Sequence, residues 1–250
     1  MLPLIGISLA FETNPEDSPI PGSDIYYTNR EYARAVELAG AVPVMLPAVT
    51  DRQIFHGLLE SIDGLVVTGG ARPLPQHMLS GPSLPGLREQ NPARYDCDCL
   101  LIKEALGRGM PVLGICRGHQ MLNEVTGGSL IPRIPDPHPH RQAYAPNMPA
   151  HEVEIKPGTT VHRITGRPIL AVNSLHLQAV EKTGPGMDIS ARSRDGIAEA
   201  IESKSHPFAL GVQFHPEKMV ADPVFLNFFK ALAEHAGVYR KKTAGHRSGQ

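Results

Sequence analysis

Two stretches of this chain carry residue types that together could break a covalent bond. The first is Pro111-Val-Leu-Gly-Ile-Cys-Arg-Gly-His-Gln-Met-Leu-Asn123, where an apolar run rich in strand formers meets Cys116, and Gly118 and a helix-compatible segment through Val125 follow at once. That order predicts a strand, a tight turn and a helix, with the thiol on the turn. Such a turn lifts the sulfur clear of the sheet edge, aims backbone N–H groups at it and sets it at the positive end of a helix, and all three favour a thiolate. Gly114 and Gly118 stand two residues to either side, where a side chain would obstruct the bend. A cysteine at the end of a buried strand is often no more than a small apolar residue. The second stretch, Gly211-Val-Gln-Phe-His-Pro-Glu217, changes that reading, because another apolar strand ends in His215 with Glu217 two residues on. A cysteine nucleophile needs a base within hydrogen-bond reach and a group that fixes the base's tautomer, and His215 and Glu217 supply both.

The paired motifs are similar to those of the class I glutamine amidotransferase superfamily. The fuller resemblance is to the free-standing γ-glutamyl-γ-aminobutyrate hydrolases of the peptidase C26 group, which share Val172-Asn173-Ser174-x-His176-x-Gln178 and Ser190-Ala191-Arg192-x-x-Asp195-Gly196. The resemblance covers the chain from Ile5 to about Ala233. It implies a catalytic triad of Cys116, His215 and Glu217, an oxyanion hole of the Gly70 and Arg117 N–H groups, and substrate contacts from Gln120, Ser174 and His176. The implied reaction is cysteine-dependent hydrolysis of a γ-glutamyl amide through a thioester, as in polyamine and putrescine catabolism, with no metal or organic cofactor. Two other functions are compatible with the motifs: a glutaminase subunit passing ammonia to a separate synthase, and a non-catalytic binding member of the superfamily.

Departures from the family pattern cluster at the amine end of the substrate. The hydrolases usually read Gly-Gly-x-Asp-x-x-Pro, whereas Gly70-Ala-Arg-Pro-Leu-Pro75 puts Arg72 where aspartate is expected. A guanidinium there suits a carboxylate on the leaving group. Asn91-Pro-Ala-Arg-Tyr-Asp-Cys-Asp98 keeps the family's arginine as Arg94 but shows Tyr95 in place of aspartate, and Leu177 replaces a second histidine.

The balance of the chain fits a small-molecule enzyme. With 250 residues, 41% hydrophobic, it can bury one α/β core, and a net charge of −1 lacks the basic excess that a nucleic-acid or anionic-membrane surface needs. A γ-glutamyl small molecule is therefore the expected partner, and a homo-oligomer is left open. Cys97 and Cys99 are too close for an ordinary disulfide and lack a second ligand pair for zinc, so both are expected to be inert on a helix in a reducing cytoplasm. No basic n-region opens the chain, and Glu12, Glu16 and Asp17 fall within the span of a would-be signal.

The elements that must position the site follow in order. Strands are expected at Leu4 to Ser8, Val42 to Leu46 and Gly64 to Thr68. Between them, a helix capped by Thr28 with Glu31 presents Tyr32, Ala35, Val36 and Ala39, and a second is capped by Thr50 or Asp51 and presents Ile54, Phe55, Leu58, Leu59 and Ile62. This alternation predicts a single α/β domain over residues 1–239. Its mostly parallel central sheet is flanked by helices, flavodoxin-like, with a nucleophile elbow. Thr68-Gly69-Gly70 then falls at the carboxyl end of a strand, where such sheets bind ligands. Residues 72–92 are expected as a loop over the site, and His119 as structural. Ile131 to Pro149 is proline-dense and holds His138, His140 and Arg141. With His151 its histidines suggest a metal, but the prolines impose an extended path without ligand geometry, so a solvated loop and no metal are expected. Strands follow at His151 to Ile155, Ile169 to Val172, Asp188 to Arg192, Ile197 to Ile201 and Phe208 to Phe214. Asp222-Pro223 caps a last helix with a Phe225, Phe228, Phe229 and Leu232 face, and residues 240–250 are expected to be a disordered tail.

Overall fold

The computed structural model describes residues 1–13, 21–49, 51–70, 83–135 and 139–247. In chain order the described strands are β1 (Leu4–Ser8), β2 (Ala10–Thr13), β3 (Asp24–Tyr27), β4 (Val42–Leu46), β5 (Gly64–Val67), β6 (Val112–Ile115), β7 (Ser129–Ile131), β8 (His151–Ile155), β9 (Ile169–Val172), β10 (Ala179–Lys182), β11 (Met187–Ser193), β12 (Ala198–Ser203) and β13 (Ala209–Val212). The helices are α1 (Arg30–Leu38), α2 (Arg52–Ser61), α3 (Leu87–Gln90), α4 (Pro92–Gly107), α5 (Arg117–Val125), α6 (Thr160–Thr165) and α7 (Pro223–Arg247).

The site-bearing half of the sheet is parallel, in the order β4-β1-β5-β6-β13. Counting only these strands, the order is 2-1-3-4-5, the flavodoxin-like arrangement of a single α/β domain. Strands β5, β6 and β13 are buried on both faces, which is why β5 and β6 read as continuous apolar runs rather than alternating ones, while the edge strand β4 leaves Val42 and Met45 exposed. Beyond β13 the sheet continues antiparallel through β12, β11, β8 and β9. One core cluster packs α1 and α7 against one face, with Phe214, Phe225 and Phe228 meeting edge to face, and a second packs α2, α4 and α5 against the other.

Several expectations change in detail. Asn29 rather than Thr28 precedes α1, and no side chain caps it. Asp51 caps α2 by accepting from the Ile54 N–H at 2.9 Å, and Ile54 itself is exposed. The stretch expected as a loop over residues 72–92 contains α3, and residues 71–82 lie outside the described ones. Strands β2, β3, β7 and β10 were not foreseen, being short and weakly alternating. Helix α7 runs on to Arg247, through the segment expected to be a disordered tail. Arg240 anchors it, donating to the Leu2 carbonyl at 2.8 Å and to Asp63 at 3.2 Å. Among the described residues, no helix is long and apolar enough to cross a membrane.

Candidate active site

The carboxyl ends of β5, β6 and β13 converge on one point. β6 and β13 pair in parallel with Ile115 opposite Val212, so Cys116 leaves the sheet beside Gln213, and His215 follows two residues later. Cys116 adopts φ +52° and ψ −103°, a conformation that non-glycine residues avoid and that marks a strained turn. The turn is held from both sides: the Cys116 N–H donates to the Val212 carbonyl at 2.8 Å, and its carbonyl accepts from the Gln120 N–H at 3.1 Å. The bracketing glycines are required by close approach. A Cβ on Gly118 would lie 2.0 Å from the Val67 carbonyl oxygen, and one on Gly114 would lie 2.5 Å from that of Gly118.

His215 is fixed through its backbone and its ring. Asn173 accepts from the His215 N–H at 2.8 Å and donates to its carbonyl at 3.0 Å. The ring Nδ1 meets Glu217 Oε1 at 2.7 Å, which sets Nδ1 as the donor and turns Nε2 toward the thiol. Burial opposes a charge on His215, but the Glu217 carboxylate and the Cys116 sulfur carry its pKa from 6.5 up to about 10. Gly69 lies against this pair. A Cβ there would meet His215 Cε1 at 2.9 Å, the Tyr32 hydroxyl oxygen at 3.0 Å and Cys116 Cβ at 3.3 Å, so any side chain would wedge between thiol and imidazole.

The glycine turn after β5 is itself clamped. The Gly69 N–H donates to the Tyr32 hydroxyl at 2.9 Å, and Arg94 Nη2 donates to the Thr68 carbonyl, the Thr68 hydroxyl and the Gly69 carbonyl at 3.0, 2.9 and 2.8 Å. Arg94 also stands 3.4 Å from Asp98, whose same oxygen accepts from the buried Arg117 guanidinium. The Arg117 side chain is thus turned away to Asp98 while its N–H opens helix α5 next to the thiol. In sequence, Tyr32 reads only as part of a core face, and Asp98 only as part of a partly matched motif. The arginine spacing preserved at Arg94 was the available signal.

A cavity of about 430 Å³, within the usual range for small-molecule sites, opens over Cys116 and His215. Gly70, Arg117, Gln120 and His176 line it, as expected of site residues. The Gln120 amide is engaged with the Gln178 carbonyl and with Gln213, at 2.8 and 3.1 Å. Ser174 does not line it: it is fully buried, and its hydroxyl donates to the His140 carbonyl at 2.9 Å, so it holds a loop rather than contacting substrate. Arg72 falls outside the described residues. Two cationic side chains that sequence reasoning did not place here, Arg141 and Lys218, stand in the lining, and among the described lining residues none is acidic. His119 is buried in the core, and burial lowers its pKa to about 4, consistent with a structural residue. Burial also raises the Cys97 thiol to about 11, and Cys99 in the same direction.

The segment expected to be a solvated loop is not one at His140, whose side chain is fully buried against Glu199 and Asp195. An acidic partner on β12, nearly sixty residues away in sequence, draws it in. The distance in sequence hid the contact.

Known proteins resemble this chain in sequence and in fold. The chain is 34% identical over 200 residues to γ-glutamyl-γ-aminobutyrate hydrolase PuuD of Escherichia coli, covering 75% of this chain and 77% of that one. A solved structure from Thermoplasma acidophilum superposes with a TM-score of 0.68 at 16% identity over 98% of each chain. A Thermotoga maritima glutamine amidotransferase superposes with a TM-score of 0.56 at 16% identity, over 99% of this chain and 86% of that one. The peptidase C26 model matches residues 3–217, and the chain belongs to that family of glutamine amidotransferase-like hydrolases.

Proposed function

We propose that the protein hydrolyses γ-glutamyl amides whose amine half carries a carboxylate, γ-glutamyl-γ-aminobutyrate being the model substrate. The observation that carries the proposal is the thiol, imidazole and carboxylate aligned at adjoining strand ends beneath a cavity whose described lining holds Arg141 and Lys218 and no acid. The Cys116 sulfur attacks the γ-carbonyl while the Gly70 and Arg117 N–H groups receive the developing oxyanion. The C–N bond then breaks as His215 gives its proton to the leaving amine, and a γ-glutamyl thioester remains. Water, deprotonated by His215, attacks that thioester and releases glutamate with the thiol restored. Glu217 orients the imidazole throughout. A substrate with carboxylates at both ends matches a lining with two cations and, among its described residues, no acid. A polycationic amine conjugate finds no acidic partner among the described lining residues.

The test is a panel on purified protein without any partner: γ-glutamyl-γ-aminobutyrate, γ-glutamyl-monoamines, γ-glutamyl-polyamines and glutamine. The γ-aminobutyrate conjugate is expected to lead, Cys116→Ala to be inactive, and Arg141→Ala to narrow the preference over the monoamine conjugate by about tenfold or more, the effect of a hydrogen bond to a charged group. A panel led by polyamine conjugates overturns the carboxylate reading. Glutamine in the lead, with stimulation by a synthase, makes the protein a glutaminase subunit.

A further inference from the structure

Behind the wall of the cavity that carries Arg141 and His176 lies a second cluster that the proposed reaction does not use. Glu199 on β12 is completely buried, and its Oε1 faces three imidazole nitrogens: His140 Nδ1 at 3.3 Å, His151 Nε2 at 3.6 Å and His176 Nε2 at 3.6 Å. None of these contacts is a hydrogen bond. All three nitrogens and both Glu199 oxygens are buried without a hydrogen-bond partner.

The opposite nitrogen of each ring shows what the inward ones present. His140 Nε2 meets Asp195 Oδ2 at 2.9 Å, His151 Nδ1 meets the Glu152 carbonyl at 3.2 Å, and His176 Nδ1 meets the Gln178 carbonyl at 3.0 Å. Every outward partner is an acceptor, so every outward nitrogen is the N–H. Each neutral ring therefore turns a lone pair toward a carboxylate, and lone pairs facing an anion in a buried site repel unless a cation lies between them. Outer-nitrogen bonds to a carboxylate or a carbonyl are the arrangement that orients metal-bound histidines.

The spacing discriminates between a proton and a metal. Charge-assisted hydrogen bonds would draw the pairs to roughly 2.7–2.9 Å. Ligands held about 2.0–2.1 Å from a tetrahedral Zn²⁺ lie about 3.3 Å from one another. The ligand atoms of His140, His151 and Glu199 all lie within 4.8 Å of one another, and His176 approaches the same carboxylate oxygen from the cavity side. We propose that His140, His151 and Glu199 bind a divalent transition-metal ion of the Zn²⁺ type, with His176 as the fourth donor. The ion joins the proline-dense loop, the start of β8, the turn after β9 and β12. It thereby fixes the wall that presents Arg141 and His176, and it takes no part in bond breaking at Cys116.

The full-length protein, stripped with a chelator and titrated with Zn²⁺ against a chromophoric competitor, tests this in wild type, Cys116→Ala, His151→Gln and Asp195→Asn. One tight site per chain is expected in wild type and in Cys116→Ala. Asp195→Asn, which alters only a half-exposed side chain behind His140, should weaken binding about 10–100-fold, and His151→Gln should weaken it further. Co²⁺ in the same site should give the visible bands of tetrahedral coordination without a thiolate charge-transfer band. A folded wild-type chain with no tight site overturns the proposal. So does a site lost in Cys116→Ala and kept in His151→Gln and Asp195→Asn. Because binding is read without turnover, these outcomes stand apart from those of the substrate panel.

Discussion

The tightest approach in the turn at Cys116 gives the most direct test of its construction. An alanine at Gly118 would put its Cβ 2.0 Å from the Val67 carbonyl oxygen and 2.7 Å from the Val67 carbonyl carbon, whereas ordinary contact begins near 3.4 Å. Strand β5 and the start of α5 must then separate by about 1.4 Å, and the obstacle is backbone in the sheet, which cannot rotate away. Overpacking of this kind costs about 1–3 kcal/mol of stability, and the upper end applies here. The same displacement parts Cys116 from the Gly70 side of the site. A misplacement near 1 Å costs about 100-fold in rate, or about 2.7 kcal/mol of transition-state stabilisation. The control is Gly57→Ala in α2, where a Cβ meets nothing within 4 Å, so that Gly118→Ala and Gly57→Ala compare one methyl at two sites. In a helix that change is expected to stabilise by up to about 1 kcal/mol and to leave turnover alone. Urea unfolding and kcat/KM on the leading substrate measure both. A Gly118→Ala enzyme within a few-fold of wild type in kcat/KM, with unchanged stability, would refute the argument that close approach of elbow and strand sets the thiol's position.

Two further changes address the groups that hold the thiol's neighbours. Tyr32→Phe leaves the Gly69 N–H buried without its acceptor and should lose about 1–3 kcal/mol of stability together with part of kcat, since the Gly70 N–H is carried on the same turn; unchanged thermal unfolding and kcat would remove Tyr32 from that role. Glu217→Gln removes a carboxylate that favours the imidazolium while burial continues to oppose it and only the Cys116 sulfur still supports it, so the His215 pKa should fall from about 10, with a smaller loss of kcat than Cys116→Ala. Imidazole NMR titration reads the sign, and an unmoved or raised pKa contradicts it.

How far the site could be read from the sequence depended on whether the contacts were local. The elbow was legible because its requirements lie within seven consecutive residues, Val112 to Gly118: two glycines, the cysteine and the strand that precedes it. The parallel half of the sheet was legible because strands buried on both faces are continuous apolar runs. The clamp on the glycine turn was not, since Tyr32, Arg94 and Asp98 come from two helices whose positions around Thr68 and Gly69 only the fold sets. Arg117 shows the limit most clearly. Its proposed backbone role follows from its place after Cys116, whereas the salt bridge that turns its side chain away depends on Asp98, nineteen residues earlier on another helix. The histidine cluster failed for the opposite reason. The prolines argued for an extended path without ligand geometry, but the described segment runs through turns and bends, and these place His140 against a buried glutamate as firmly as a helix would.

The two buried charge clusters share a physical logic. An ion pair taken out of water recovers little net stability, so Arg94 with Asp98 and Arg117 is weak evidence for a more stable fold. What an apolar substitute could not supply is the donated hydrogen bonds to the Thr68 and Gly69 carbonyls just past the end of β5, and to the Thr68 hydroxyl, which itself donates to the Ser8 carbonyl on β1. A loop that must expose one N–H to a substrate has to have its other polar groups satisfied from behind, or it will rotate to satisfy them itself. Arg94 and Tyr32 do this beneath the glycine turn, and Asn173 does it for the backbone of His215. On the far wall, Ser174 and the His176 N–H both bond the His140 carbonyl, so the cavity is bounded on each side by backbone whose alternatives have been removed. Rigid geometry around Cys116 is therefore built from buried polar contacts behind the lining, and substitutions there should alter rate before they alter the fold.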